Sequence, residues 1–191
     1  MNAPSPDLPP FVDLRYLTAS LIALAIMVAA ILGPSLWFHN FVHVFCGMLW
    51  TGIDLFMGFV IGPILRRIDF AARRQIIARL MPRMLFLMPT LAIITGTAGW
   101  FLAVRKGLTA LPFPQFGWVL AALVIVTLLT MQGLMLLLPT NIKVYLELRK
   151  PEPDGERIGR LMRLYVKAVA LQGIMQVLIV VVMARFATGL G

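Results

Sequence analysis

Two histidines, one cysteine and one acid lie within a single apolar segment of this chain. His39 and His43 are four residues apart, Cys46 follows within one helical turn, and Asp54 comes eleven residues after His43. On a helix with about 100° and 1.5 Å per residue, Trp50 and Asp54 share the face of the histidines, and Asp54 lies roughly 16 Å beyond His43. Lipid cannot satisfy such groups, so this face is expected to meet protein, a cofactor or water.

The histidine pair has the spacing of a metal or haem site. Imidazoles at positions i and i+4 can bind one metal ion, and Cys46 offers a soft third donor. The pair cannot ligate both faces of one haem, because both rings project the same way, so a haem would take one histidine and a group from another helix. The alternative is that His39 and His43 bond to backbone or lipid near the interface and Cys46 is a small buried residue.

Asp54 has a different chemistry, because an ionised acid at mid-membrane costs about 2.5–3.5 kcal/mol on insertion scales. A proton or hydrogen-bond donors from neighbouring helices must offset that cost, and polar residues of the other apolar segments are candidates. These candidates include Thr51, Thr95, Thr130, Gln132 and Gln172. The cluster of Asp54 with Gln132 and Gln172 is therefore interpreted as a proton or ion path, or else as a structural hydrogen bond between helices.

Composition places the chain in a membrane. The 191 residues are 60% hydrophobic and 13% charged, and the mean hydropathy is +0.91, which a water-soluble domain cannot bury. The formal net charge of +9 is concentrated in two hydrophilic connections, as the positive-inside rule produces, so nucleic acid is not the expected partner. We predict an all-α integral membrane protein with its N-terminus in the cytoplasm.

Apolar runs predict five spans in one transmembrane domain covering residues 14–187. The Pro-rich residues 1–13 are expected to be a flexible tail, and residues 188–191 a C-terminal tail. The spans are predicted at about 14–32, 36–65, 84–104, 118–138 and 168–184.

The connection from Arg66 to Arg83 carries six arginines. It is expected to consist of two helix ends on the cytoplasmic side. A second interpretation is a surface that docks anionic lipid or a partner protein.

The segment around the histidines also resembles a known signature. The pattern H-x3-G-x2-W-x-G, formed by His43, Gly47, Trp50 and Gly52 and followed by an apolar run to Arg67, is similar to the signature helix of small bacterial membrane proteins. These are the CopD copper-resistance family, the membrane domain of PuuD-type urate oxidases and the HemJ-type protoporphyrinogen oxidases. The resemblance implies a helical bundle in the bacterial inner membrane, often with haem b, and His43 as the candidate haem ligand.

The first functional hypothesis follows from this resemblance. The protein would bind haem b, or a metal ion, through His43, with His39 as second ligand or orienting group and Trp50 packed on the cofactor. It would serve electron transfer or a membrane-linked oxidation, with a redox partner in the membrane. The alternatives are a cofactor-free accessory subunit and a small proton-coupled or copper transporter that uses Asp54. The substrate, the enzymatic activity and the oligomeric state stay open.

Overall fold

The computed structural model describes residues 14–189 as a bundle of long helices. Five of them are long and apolar enough to cross a membrane, and the described part of the chain contains no strand. The number, length and apolar composition of these helices confirm the prediction of an all-α protein with five membrane-spanning helices. The predicted tail at residues 1–13 and the last two residues lie outside the described range. The helices are α1 Leu14–Leu32, α2 Leu36–Arg67, α3 Phe70–Arg105, α4 Gln115–Leu148 and α5 Gly155–Thr188.

Three of the helices begin at a side chain that caps the first turn. Ser35 Oγ accepts a hydrogen bond from the backbone N–H of Phe38 before α2. Asp69 and Asp154 do the same for α3 and α5, each accepting from the N–H three residues on at 2.9 Å. Such caps satisfy backbone donors that the first helical turn leaves unpaired.

The turns between helices are short, so sequential helices are antiparallel neighbours. Only two residues separate α2 from α3, and most of the arginines predicted in that connection lie on the first turns of α3. After α3, Gly107 has a φ of 68°, which only glycine adopts without strain.

Helix α3 is the centre of the bundle. One third of the residues in its most apolar window are buried, against 6–22% in the other four helices. Helices α1 and α2 pack on one side of it, α4 touches it from the other side, and α5 packs mainly on α4 and also on α2. Many large apolar side chains on the outer faces are exposed, as expected for contact with lipid.

Two helices contain a π-helical turn. In α2 it spans Met57–Ile61 and precedes Pro63; in α4 it spans Gly133–Leu137 and precedes Pro139. Proline has no N–H to donate and its ring crowds the carbonyl four residues earlier, so a wider turn before it relieves the conflict. Helix α4 is thus locally widened before Pro139 and continues to Leu148.

Candidate functional site

His39 is fully buried against α3, with both ring nitrogens occupied. Its Nε2 lies 2.9 Å from the carbonyl oxygen of Ala98, and its Nδ1 lies 3.4 Å from an Arg105 nitrogen. A carbonyl only accepts, so Nε2 carries the proton and Nδ1 accepts from the guanidinium. Arg105 also donates to the carbonyls of Gly33 and Pro34, each at 3.1 Å. His39 therefore joins the end of α1, α2 and α3, and has no lone pair left for a metal.

His43 packs edge-on against the same helix. Its Nδ1 donates to the carbonyl oxygen of Thr95 at 3.0 Å. A Cβ placed on Gly99 would lie 2.7 Å from Cε1 and 3.6 Å from Nε2 of the ring. The edge that carries both nitrogens thus faces the backbone of α3 at Gly99, and the absence of a side chain there makes room for it.

The predicted metal donors do not converge. Cys46 lies between two apolar clusters, next to Val42 and Trp50. Within residues 14–189, no three His, Cys, Asp or Glu side chains come together in a way that could hold a metal ion. Metal binding by His39, His43 and Cys46 stays a prediction that this packing does not support.

The residues around His43 also do not fit a haem. An axial imidazole must project a nitrogen into a space wide enough for the macrocycle. Here Cε1 and Nδ1 of His43 pack against α3 at Gly99, and Nδ1 is bonded to the carbonyl oxygen of Thr95. Trp50, expected to pack on a cofactor, is buried against Leu91, Ala92 and Leu129 instead. No chemical step is derived through a haem for this reason.

Asp54 lies near the middle of α2 and is held by amides from α5. The Nε2 atoms of Gln172 and Gln176 both donate to Oδ2 of Asp54, Gln176 at 2.6 Å and Gln172 closer still. The side chain of Trp50, one turn earlier on α2, lines the same cavity as the carboxylate. None of the ion pairs found among the described residues includes Asp54. The carboxylate is therefore satisfied by neutral donors and has no cationic side chain beside it.

A cavity of about 70 Å³ adjoins this carboxylate. That volume accommodates a few water molecules and is well below the roughly 300 Å³ at which ligand pockets begin. Its polar wall is formed by Trp50, Asp54, Thr130, Asn141, Tyr165 and Gln172, and its apolar wall includes Met84, Leu85, Met88, Leu129 and Leu137. The polar side chains among the lining residues can hydrogen-bond water held in the cavity.

Both π-helical turns border the cavity. Met57 comes from the turn in α2, and Gly133, Leu134 and Leu137 come from the turn in α4. Single π-helical turns within α-helices occur often at functional sites, because they redirect side chains and backbone groups. Gly58 allows α2 to approach α5, since a Cβ there would lie 3.1 Å from Val169. These features bring the acid of α2 within reach of the amides of α5.

The structure brings together only part of the predicted polar path. Gln172 contacts Asp54, and Trp50 lies beside them. Gln132 faces away and donates to the carbonyl oxygen of Ala168, so it links α4 to α5 without touching the acid. None of the threonines considered as donors bonds Asp54; Thr130 bonds the carbonyl of Val126 on its own helix.

Two polar residues of the cavity escaped the sequence analysis. Asn141 and Tyr165 line the cavity on the side of the α4–α5 turn. Asn141 comes directly after the Leu-rich run and Pro139-Thr140, and Tyr165 lies among basic residues, so both looked like ends of spans. A polar residue about one turn beyond the end of each of two consecutive apolar runs is the signal that could have paired them.

The arginines between α2 and α3 have defined structural contacts. Arg73 donates to the carbonyls of Arg66 and Ile68, at the end of α2. Arg74 donates to the carbonyls of Leu148 and Lys150, at the end of α4, at 2.8 and 3.3 Å. Cations at helix C-termini satisfy unpaired carbonyls and suit the helix dipole. These two side chains are therefore engaged within the protein.

Comparisons of the chain with protein-family models, curated proteins and solved structures give no match.

Proposed function

We propose that this chain is a small proton-coupled transporter of the membrane and that Asp54 binds and releases the transported proton. The observation that carries the proposal is the Asp54 carboxylate itself, at mid-span, between two glutamine amides and a cavity large enough for water. An intramembrane acid without a cationic partner marks a proton or ion path by default.

Two segments lead away from Asp54 along the proposed path. Toward the α4–α5 turn, the cavity reaches Asn141 and Tyr165. In the other direction along α2, Trp50, His43 and His39 follow the same helical face, next to the buried and unpaired hydroxyl of Thr95. Water or side-chain rotation would be needed to join His43 to Asp54, because the histidines bond to α3 and not to the acid.

A flux measurement tests the proposal. The purified protein is placed in vesicles with an internal pH dye, and a potential set by potassium and valinomycin drives protons inward. Wild type should acidify the vesicles, and Asp54→Asn should reduce the rate to that of protein-free vesicles, because an amide cannot carry the proton. Glu152→Gln, which removes an exposed acid with no ion pair among those found, is the matched control. Equal flux in Asp54→Asn and wild type would refute the proposal.

The orientation forms part of the same proposal. The arginines of α3's first turns and the basic residues at the α4–α5 turn support a cytoplasmic location for those two turns, with the N-terminus inside, in the inner membrane of a bacterium. Single cysteines introduced as Arg79→Cys and Phe113→Cys in a Cys46→Ser background should then react with an impermeant reagent from the inside and the outside respectively. The reverse labelling would invert the proposed topology.

Haem-linked electron transfer through His43 stands as a competing proposal on the resemblance alone. It requires the ring of His43 to leave its contact with Gly99 so that Nε2 can reach iron. A reduced-minus-oxidised spectrum of the purified protein separates the two proposals. A haem band that is lost in His43→Ala would favour electron transfer, and a colourless protein that still moves protons would favour Asp54.

A further inference from the structure

The two glutamine amides beside Asp54 have bonded nitrogen atoms and unbonded oxygen atoms. Both Gln172 and Gln176 donate to the same carboxylate oxygen, while the Oε1 atom of each has no hydrogen-bond partner. The two residues are 2% and 1% exposed. Buried polar groups of folded proteins are normally paired, and an unpaired acceptor in an apolar interior is unfavourable. Two such acceptors beside one carboxylate call for an occupant that can interact with oxygen atoms.

The group of atoms available there has the chemistry of a hard-cation site. It consists of a carboxylate from α2 and two amide carbonyl oxygens from α5, which are ligands that hard cations prefer. The terminal torsion of a glutamine amide is broad and close to two-fold, so rotation exchanges Nε2 and Oε1 at small cost. In the arrangement described, the amide N–H groups face Asp54; after rotation, the oxygens would face a cation bound to it.

The single negative charge of the site favours a monovalent cation. Asp54 is the single acid among the cavity residues, and Tyr165 is the other titratable group there; α3 and α4 contribute uncharged side chains. One carboxylate neutralises one positive charge, whereas a divalent ion would leave an uncompensated charge in the membrane interior. The cavity wall contains no histidine or cysteine, and its sulfur atoms are the thioethers of Met57, Met81, Met84 and Met88. The oxygen atoms of Asp54, Gln172 and Gln176 suit a hard cation, whereas thioethers select soft ions such as Cu(I).

We propose that Asp54, Gln172 and Gln176 form a binding site for a sodium ion, which takes the place of the proton on the same carboxylate. This inference rests on the proposed function, since it names the second cation of the same site. Protein oxygens supply part of the coordination, and water from the adjoining cavity supplies the rest. Because the ligands come from α2 and α5, bound sodium would also hold these two helices together.

Thermal unfolding with sodium titration tests the site. The full-length protein in detergent is unfolded at fixed pH and fixed ionic strength, with choline replacing sodium. A ligand that binds only the folded state raises the unfolding temperature as its concentration rises. Sodium should raise the unfolding temperature of wild type more than choline does, and the rise should be absent in Asp54→Asn and in Gln172→Leu.

A matched variant separates this effect from a general effect of salt. Gln132→Leu also removes an amide, half-buried in this case, from the α4–α5 contact but leaves the Asp54 site intact, so its response to sodium should equal that of wild type. Bound sodium counted by equilibrium dialysis with a radioactive tracer gives a second readout, with one ion per chain expected for wild type and Gln132→Leu. No sodium binding by wild type, or equal binding by Asp54→Asn, would overturn the inference.

Different results would refute the proton-transport proposal and the sodium-site proposal. If wild type binds no sodium but Asp54→Asn abolishes proton flux in sodium-free vesicles, the transport proposal stands and the sodium site is refuted. If sodium binds through Asp54 but no proton flux is found, the site stands and proton transport is refuted.

Discussion

At the scale of single residues, the imidazole of His43 on α2 packs closely against Gly99 on α3. A methyl group at Gly99 would lie 2.7 Å from Cε1 of His43, a distance that real Cβ atoms essentially do not reach, and 3.0 Å from Nδ1. Glycine at this position is therefore explained by the imidazole of α2 and by its hydrogen bond to Thr95.

The first prediction concerns this contact. Gly99→Ala should destabilise the protein by about 1–3 kcal/mol, because overpacking forces the ring or the helix to move. Gly96→Ala, on the same helix, is the control, since its Cβ would lie 4.0 Å from the nearest atom, in Val126. It should be neutral or stabilise by up to about 1 kcal/mol. Denaturant unfolding in detergent measures both, and equal stabilities would contradict the described packing.

The second prediction concerns Arg74. Arg74→Gln should lower stability by about 1–2 kcal/mol, because the carbonyls of Leu148 and Lys150 lose a charged donor. Arg79→Gln removes a neighbouring exposed arginine and should change little. The same unfolding experiment compares them. If the two variants are equally stable but both fail to bind a partner or anionic lipid, the arginines serve docking and not the fold.

At the scale of elements, the two π-helical turns and the cavity between α2, α3, α4 and α5 define the site. Gly133 begins the turn in α4 and lines the cavity, and a Cβ there meets no atom within 4 Å. A larger side chain at Gly133 can therefore extend into the cavity without clashing with the backbone.

The third prediction concerns the open space beside Gly133. Gly133→Leu should preserve folding and reduce proton flux, because its side chain displaces water from the cavity beside Asp54. Gly52→Leu is the matched control, since Gly52 is exposed, also has open space at Cβ and does not line the cavity. Flux in the vesicle assay measures the outcome. Full flux in a folded Gly133→Leu protein would mean that the cavity is not part of the path.

At the scale of the whole molecule, much of the fold follows from apolar periodicity. Helix α1 and the start of α2 match the predicted bounds, because Gly33-Pro34 and the cap at Ser35 mark them in the sequence. Helices α3, α4 and α5 extend beyond their predicted apolar runs, since an amphipathic segment with basic residues continues a helix as readily as an apolar one. Hydropathy alone does not register those extensions.

The site was less predictable than the fold. The sequence indicates that Asp54 needs a donor, but it does not tell Gln132 from Gln172, because the choice depends on how α4 and α5 rotate against α2. It also suggests a metal site from His39 and His43, whereas their partners are backbone carbonyls of Thr95 and Ala98 on α3. Backbone acceptors carry no sequence signal, so tertiary packing alone identifies them.

The central claim is that Asp54 carries the transported proton. Infrared difference spectra of the protein in vesicles, recorded across a step in pH, detect the carbonyl stretch of a protonated carboxyl group directly. We predict a band that appears on acidification in wild type and in Glu152→Gln and is missing in Asp54→Asn. The same band in Asp54→Asn would show that another group takes up the proton and would contradict the account.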